Sequence, residues 1–368
     1  MVECTRFVGL DVSKAKIAIG IAEAGREEPR GAGCIRHDVP TLLKVLARLG
    51  LREHVLVAYE AGPTGYGLAR ALQRAGYACQ VVAPSKTPVR AGDHIKTDRR
   101  DALMLARYLR AGELVPVTIP DASVEALRDL VRARLDAKKA HTAVRHQLGK
   151  FLIRHDRQYP GRSNWTQQHH AWIAQQRFEH PAQQAVLLDH VHAEHEASER
   201  VARLTADIER LAPEAPVADL IVALQALRGV QLVTAATLAV ELGDLRRFAR
   251  PSQLMGYLGL VPRESSSGTR TQRGAITRAG NGHARRVLIE AAWAYRVAPR
   301  ISRVIAVRQR RVSPPVRALA WKAQRRLHHR WRTLKARGKD HRRVITAMAR
   351  ELAGFVWAIG QQQPLLID

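Results

Sequence analysis

Short apolar runs near the start of the chain predict β-strands. The stretches "RFVGLDV" (6–12) and "KIAIGIA" (16–22) are rich in valine and isoleucine, and they are close enough to form a hairpin. A third strand is expected within 30–37, and buried strands are expected at "HVLVAYE" (54–60) and "ACQVVAP" (78–84). The first part of the chain is therefore predicted to form a β-sheet.

Stretches with helical spacing lie between and after these strands. They are "PTLLKVLARLG" (40–50), "GYGLARALQRAG" (65–76) and "IKTDRRDALMLARYL" (95–109). The first two end at a glycine, which is a common signal for the end of a helix. The resulting order, β-β-β-α-β-α-β-α, predicts an α/β domain with a mixed sheet flanked by helices.

The pattern becomes helical after about residue 115. Long amphipathic helices are expected at 124–155 and 183–213, and a more polar stretch with Gly, Pro and Trp separates them. This arrangement indicates an antiparallel helical hairpin or an interaction arm. A further region begins near 216 with a helix, a glycine turn and a helix in 224–244. The fold class is thus α/β plus α, with a sheet domain, a coiled-coil arm and a mostly helical C-terminal domain at 1–115, 116–215 and 216–368.

The charge of the chain indicates a polyanionic partner. Its 368 residues include 60 Lys plus Arg against 33 Asp plus Glu, a formal net charge of +27, while 46% of the residues are hydrophobic and can form a core. A folded protein this basic repels itself unless a polyanion is present. Nucleic acid is the favoured partner, and an anionic membrane surface is the alternative.

Other features of the composition bear on location. No apolar run approaches the roughly 18–20 residues of a membrane-spanning helix. Charges interrupt the N-terminal stretch, so it does not have the layout of a signal peptide. The three scattered cysteines favour a reducing compartment over a disulfide framework or a zinc cluster. We therefore expect a cytoplasmic, nucleoid-associated protein.

Four acidic residues fall where the ends of the predicted elements can converge. Asp11 and Glu60 end two strands, and Asp98 and Asp101 stand at the start of the helix after the last strand. Carboxylates that repel each other are compatible with such a site if a divalent cation such as Mg²⁺ neutralises them. The alternative for Asp98 and Asp101 is that they favour the helix dipole or pair with neighbouring arginines. The basic residues around this site are Lys14, Lys96, Arg99 and Arg100.

A polar stretch in the C-terminal region combines serines with arginines. "RESSSGTRTQRG" contains Arg263, Arg270 and Arg273, and small hydroxyls beside arginines suit contact with a phosphate. The alternative is a surface loop whose serines cap a helix or a turn. From the residues alone, both interpretations stay open.

Several of these motifs resemble one family. "GLDVSK", "AYEAGPTGYGLARAL" and "KTDRRDALMLARYL" are similar to the DEDD domain of the IS-one-ten family of insertion-sequence transposases, which has a RuvC-like, RNase H-type fold. The stretch from "LRGVQLVTAATLAVELGD" to "GAITRAGNGHARRVLIEAAW" resembles the C-terminal transposase domain of that family. One departure is Gln231, where the family often has a second glycine in the turn.

The resemblance implies a function and a site. Asp11, Glu60, Asp98 and Asp101 would form the DEDD metal site with Mg²⁺. Ser267, directly before Gly268, would attack a DNA phosphate and form a covalent phosphoserine within a composite active site; Ser266 is the second candidate. A structured bridge RNA would pair with target and donor DNA, and the active assembly would be a tetramer made of two dimers.

Two other functions compete with this RNA-guided DNA recombinase. One is a hydrolytic metal nuclease, such as a junction resolvase, that needs only the four acids and water. The other is an inactive basic protein that only binds nucleic acid, and the complete set of acids argues against it.

Overall fold

The protein is described here as a computed structural model that covers residues 4–88, 97–267 and 270–362. Its chain forms two compact units, 1–119 and 120–368. In the described part of the chain, none of the helices combines the length and the apolar character that crossing a bilayer requires.

The first unit contains a five-stranded sheet. Its strands are β1 (Arg6–Val12), β2 (Lys16–Glu23), β3 (Arg30–Arg36), β4 (Val55–Glu60) and β5 (Ala78–Val82). The order across the sheet is β3-β2-β1-β4-β5, with β1, β4 and β5 parallel and with β2 and β3 antiparallel to their neighbours. This confirms the predicted mixed sheet and is consistent with an RNase H-like domain.

Helices cover both faces of this sheet. They are α1 (Val39–Ala47), α2 (Gly67–Arg74) and α3 (Asp98–Ala111). The buried residues Ile17, Ile19 and Ile21 of β2 belong to the core that includes α1 and α2. A second core, with Leu105 and Leu109, contains the inner face of α3. The sheet is thus the central layer between helices, as the alternating pattern predicted.

A row of glycines brings α3 directly against the sheet. Gly9, Gly20 and Gly31 lie opposite one another on β1, β2 and β3. A Cβ atom on Gly9 would lie 2.3 Å from the Ala102 carbonyl oxygen, and one on Gly20 would lie 2.5 Å from the same atom. Only residues without a Cβ allow this approach. The glycines therefore position α3, including the acids in its first turn.

The second unit is mostly helical. Its helices are α4 (Ala122–Arg154), α5 (Gln167–Gln175), α6 (Pro181–Leu211), α7 (Ala218–Leu224), α8 (Leu232–Leu242), α9 (Pro251–Tyr257), α10 (Gly282–Ala292), α11 (Arg303–Gln309), α12 (Pro314–Ala336) and α13 (His341–Gly360). A large core joins the start of α4 and the end of α6 to α7–α10, α12 and α13. Helix α8 is buried along nearly its whole length.

The two long helices form an antiparallel pair, as one sequence interpretation predicted. The early part of α4 pairs with the late part of α6, since Arg134 donates to Thr205. Further along, His141 lies 2.9 Å from Glu194. The division of this unit at residue 215 stays a prediction.

The serine-bearing stretch is a β-hairpin in place of the expected loop. Its strands are β6 (Pro262–Ser267) and β7 (Arg270–Ile276). Cross-strand pairing explains the difference, because Glu264 lies opposite Arg273 and forms an ion pair with it. The turn before α8 contains Gln231, where the resembled family often has a glycine. Gln231 has an extended backbone conformation, which does not require glycine.

Candidate active site

Two of the predicted acids lie at one edge of the sheet. Asp11 is next to the last residue of β1, and Glu60 is the last residue of β4. These strands are adjacent and parallel, with Leu10 opposite Tyr59. The carboxyl ends of parallel neighbours meet at the same edge, so the two half-buried acids are close along it.

The other two acids begin the helix that reaches the same edge. Thr97 caps α3 by accepting a hydrogen bond from the Arg100 backbone N–H. Asp98 forms a 2.8 Å ion pair with Lys16, which begins β2 beside the end of β1. This hydrogen bond and the charge of Asp98 raise the pKa of Lys16. Asp101 lies in the same first turn of the helix.

The four acids reach one region but do not surround a common point. Glu60 accepts a 2.8 Å hydrogen bond from Thr87 Oγ1, and Asp98 is engaged by Lys16. Within residues 4–88, 97–267 and 270–362, no three side chains of the Asp, Glu, His or Cys types are grouped closely enough to hold a metal ion. The oxygen donors suit a hard divalent cation. If Asp98 bound such a cation together with the other acids, its ion pair with Lys16 would have to break.

Basic side chains surround this region of the first unit. Lys14, Arg99 and Arg100 are exposed, whereas the predicted Lys96 lies outside the described residues. A cavity of about 660 Å³ borders Asp98, and Arg99 and Lys16 line it. Lys16 was missed in the sequence analysis, although its place at the start of β2 could have indicated it.

The three serines of the hairpin differ in their surroundings. Ser266 Oγ donates a 3.0 Å hydrogen bond to Glu264, which also accepts from Arg273 Nε at 3.1 Å. These bonds, that of Arg273 first, lower the pKa of Glu264. Side chains alternate between the faces of a strand, so Ser267 projects from the face opposite Ser266. Ser267 is exposed, and among the described residues its hydroxyl has no hydrogen-bond partner.

The arginines predicted around these serines are only partly described. Arg263 and Arg273 are exposed on the hairpin, and Arg273 is held by Glu264. Arg270 lies opposite Ser267 in the strand register. The described residues do not include Gly268, and the side chain of Arg270 is not described either.

A buried carboxylate supports the segment that follows the hairpin. Glu241 on α8 accepts two hydrogen bonds from Arg132, at 2.8 and 3.0 Å, and one of 2.6 Å from Asn281. Asn281 in turn caps α10 by accepting from the Ala284 N–H. This network was not predicted from the sequence, although the lone glutamate in the apolar run "TLAVELGD" was a signal of it.

The mixed sheet is consistent with an RNase H-like domain, and the basic chain with its edge of carboxylates is typical of enzymes that process nucleic acids. Residues 8–155 match the model of a DEDD transposase domain, and residues 222–305 match the model described as "Transposase IS116/IS110/IS902 family". The chain belongs to this IS110 family of insertion-sequence transposases.

Relatives agree with this assignment along nearly the full length. A protein of Sinorhizobium fredii that is named as a transposase is 48% identical, over 97% of this chain and 88% of its own. The transposase for insertion sequence element IS1533 of Leptospira borgpetersenii is 30% identical, over 90% of this chain and 97% of its own. Family membership implies DNA processing, and the DEDD domain suggests the use of a divalent metal ion.

Proposed function

We propose that this transposase is an RNA-guided DNA recombinase that excises and inserts an insertion sequence through a covalent serine–DNA intermediate. The observation that carries the proposal is the exposed Ser267 hydroxyl, on the hairpin face opposite the Ser266–Glu264–Arg273 cluster. The neighbouring Ser266 hydroxyl is already engaged, which favours Ser267 as the nucleophile.

The acids of the first unit would hold the metal ion. Asp11, Glu60, Asp98 and Asp101 supply carboxylate oxygens of the kind that Mg²⁺ prefers. When bound, such an ion stabilises negative charge on phosphate oxygens. Lys16 would be released from Asp98 and become a cation available to DNA.

The serine step conserves the phosphodiester. Ser267 Oγ forms a bond to phosphorus as the bond to one strand oxygen breaks, and the released oxygen gains a proton in place of the one the serine loses. Arg270, which lies opposite Ser267 in the strand register, would neutralise charge that develops on the phosphate oxygens. A second oxygen of DNA then displaces the serine, so strands are joined without a high-energy cofactor.

Sequence choice would come from a structured RNA. The +27 charge provides affinity for phosphates that is blind to sequence. A bridge RNA that pairs with target and donor DNA would supply the choice of site. We also propose that the chain acts as a homo-oligomer, a dimer that forms a tetramer.

A denaturing gel tests the proposal against hydrolytic cleavage. On nicked DNA with RNA and Mg²⁺, the wild-type protein and Ser266→Ala should give a protein–DNA band that resists SDS, and Ser267→Ala should not. Cleavage by wild type to free ends with no such band would favour a metal nuclease that uses water.

A further inference from the structure

A groove lined by arginines lies between the base of the hairpin and α13. It has a volume of about 780 Å³. We call it the arginine groove after the six arginines that line it: Arg273, Arg278, Arg285, Arg342, Arg343 and Arg350. The remaining described lining residues are glycine, proline, threonine and apolar residues, including Leu260 and Ile289, without a carboxylate among them. The lining of the groove therefore combines apolar residues with strong positive charge.

The arginines in the groove are not equally engaged by the protein. Arg285 donates to the carbonyl oxygens of Leu258 and Ala279, so its guanidinium is held in place. Arg342, Arg343 and Arg350 are exposed, and in the described part of the chain they form no ion pair.

Two carboxylates lie close to the groove, and they neutralise only part of its charge. Glu264 is bound to Arg273, and Asp340 accepts hydrogen bonds from the backbone N–H groups of Arg342 and Arg343. The guanidinium groups of the latter two remain available. Such a concentration of like charge is unfavourable without an anion.

One of these arginines has an unusual backbone. Arg278 has φ +57°, in the left-handed region that favours glycine. The turn around it is closely packed: its N–H donates to the Gly259 carbonyl, and a Cβ on Gly280 would lie 1.9 Å from the Tyr257 carbonyl oxygen. Glycine would fit the backbone at 278 better than arginine does. Because the exposed Arg278 side chain lines the groove, the cost of this backbone motivates a test of whether the side chain binds an anion.

We propose that the arginine groove binds the phosphodiester backbone of DNA and guides the strand toward the hairpin that carries Ser267. Strand β7 lines the groove through Arg273 and Ile276, so a DNA backbone in the groove would lie against the base of the hairpin. Guanidinium groups bind phosphate oxygens in pairs, which suits several arginines in a row. The choice of DNA over RNA rests on the proposed function, because DNA is what Ser267 would attack.

Salt-dependent binding measures the contacts directly. In a Ser267→Ala background, which removes the chemistry, full-length protein freed of RNA is titrated with a short labelled DNA duplex at several salt concentrations. The double variant Arg342→Ala/Arg343→Ala should bind at least about tenfold more weakly, and the slope of log affinity against log salt should fall by about 2. The matched control is Arg200→Ala/Arg203→Ala on the exposed surface of α6, for which no such change is expected.

The variant Arg278→Gly separates binding from stability. Glycine accepts the left-handed backbone, so the melting temperature should stay the same or rise, while the salt slope should fall by about 1. A lower melting temperature with an unchanged slope would assign Arg278 a structural role.

The outcomes distinguish this inference from the proposed function. Unchanged slopes in the Arg342/Arg343 variant would overturn the groove as a DNA site even if Ser267 forms the adduct. Reduced binding of an RNA duplex with intact binding of DNA would assign the groove to RNA and also overturn it. Reduced DNA binding in the groove variants would support the groove even if no serine adduct forms in the wild type.

Discussion

Ser266 and Ser267 are neighbours in the chain but project from opposite faces of the hairpin. The pleat places Ser266 beside Glu264, so that the Ser266 hydroxyl donates a hydrogen bond to the Glu264 carboxylate. The same pleat directs Ser267 away from that cluster. Among the four acids, Asp98 forms an ion pair with Lys16, and Glu60 accepts a hydrogen bond from Thr87. At the scale of single residues, side chains of the same type therefore differ in the hydrogen bonds that they form.

Replacement of Asp11 tests the carboxylate site. Asp11→Ala should abolish strand cleavage, because it removes an oxygen donor from the sheet edge, while the melting temperature stays within a few degrees of wild type. The control Asp136→Ala removes an exposed carboxylate from α4 and should cut normally. Cleavage by Asp11→Ala at the normal rate would mean that the acids serve another purpose.

Glu241 should make stability depend on acid pH. Burial raises the pKa of Glu241, but the hydrogen bonds of Arg132 and Asn281 outweigh this, and the net shift is downward. A carboxyl with a lowered pKa in the folded state stabilises the fold above its unfolded pKa of about 4.3, and the contribution is lost as the pH falls through the folded pKa.

The variant Glu241→Gln provides the measurement. At pH 7 it should lower the free energy of unfolding by about 2 kcal/mol, since charged hydrogen bonds become neutral ones. Urea unfolding at pH 7 and pH 3.5 should show a smaller difference between the two pH values for Glu241→Gln than for wild type. An equal difference would mean that Glu241 does not contribute to the acid sensitivity.

Helix α3 has its position because three strands present glycine to it. Gly9, Gly20 and Gly31 form a row across β1, β2 and β3, and the helix backbone lies against the first two. The first turn of α3, with Asp98 and Asp101, thereby reaches the edge where β1 and β4 end. At the scale of elements, packing of backbone against backbone brings Asp98 and Asp101 to the region of Asp11 and Glu60.

A single added methyl group tests this packing. Gly9→Ala should lower the free energy of unfolding by roughly 1–3 kcal/mol, because its Cβ would lie 2.4 Å from the Ala106 nitrogen and the helix would have to move. Cleavage should fall as well, since Asp98 and Asp101 move with the helix. Gly67→Ala is the control: a Cβ there meets nothing within 4 Å, and its stability should be unchanged or slightly higher. Equal stability of Gly9→Ala and Gly67→Ala would contradict the account.

The sheet could be predicted from the sequence because its strands are apolar runs with valine and isoleucine, such as 16–22. The acids could be placed at one edge for the same reason, since strand order and parallel pairing bring Asp11 and Glu60 together. The hairpin could not be predicted: its strands are polar and exposed, so they lack the alternation that burial of one face produces. The pairing of Asp98 with Lys16 depends on the register of β1 and β2, which the pattern alone does not determine.

The whole molecule has a charge of +27, distributed over a folded chain with large cores. Phosphate contacts give affinity that falls with salt and does not depend on sequence. An enzyme that must choose a target site needs another source of selectivity, and base pairing of a bound RNA would provide one. At the scale of the whole molecule, we therefore expect one protein to bind both RNA and DNA.

Removal of RNA tests this expectation. Protein treated with RNase should bind target and unrelated DNA with equal affinity, because only charge remains, and addition of the co-purified RNA should restore the preference. Competition between the two DNA duplexes at fixed salt measures the ratio of affinities. A preference that persists after complete removal of RNA would show that the protein itself selects the site.

The most direct test of the account is the site of covalent attachment to DNA. The protein, with its RNA and Mg²⁺, is incubated with a nicked DNA substrate that traps the intermediate, and the digested product is examined by mass spectrometry. We expect a nucleotide adduct on Ser267 that is lost in Ser267→Ala and kept in Ser266→Ala. An adduct on another residue, or cleavage by wild type with no adduct, would contradict it.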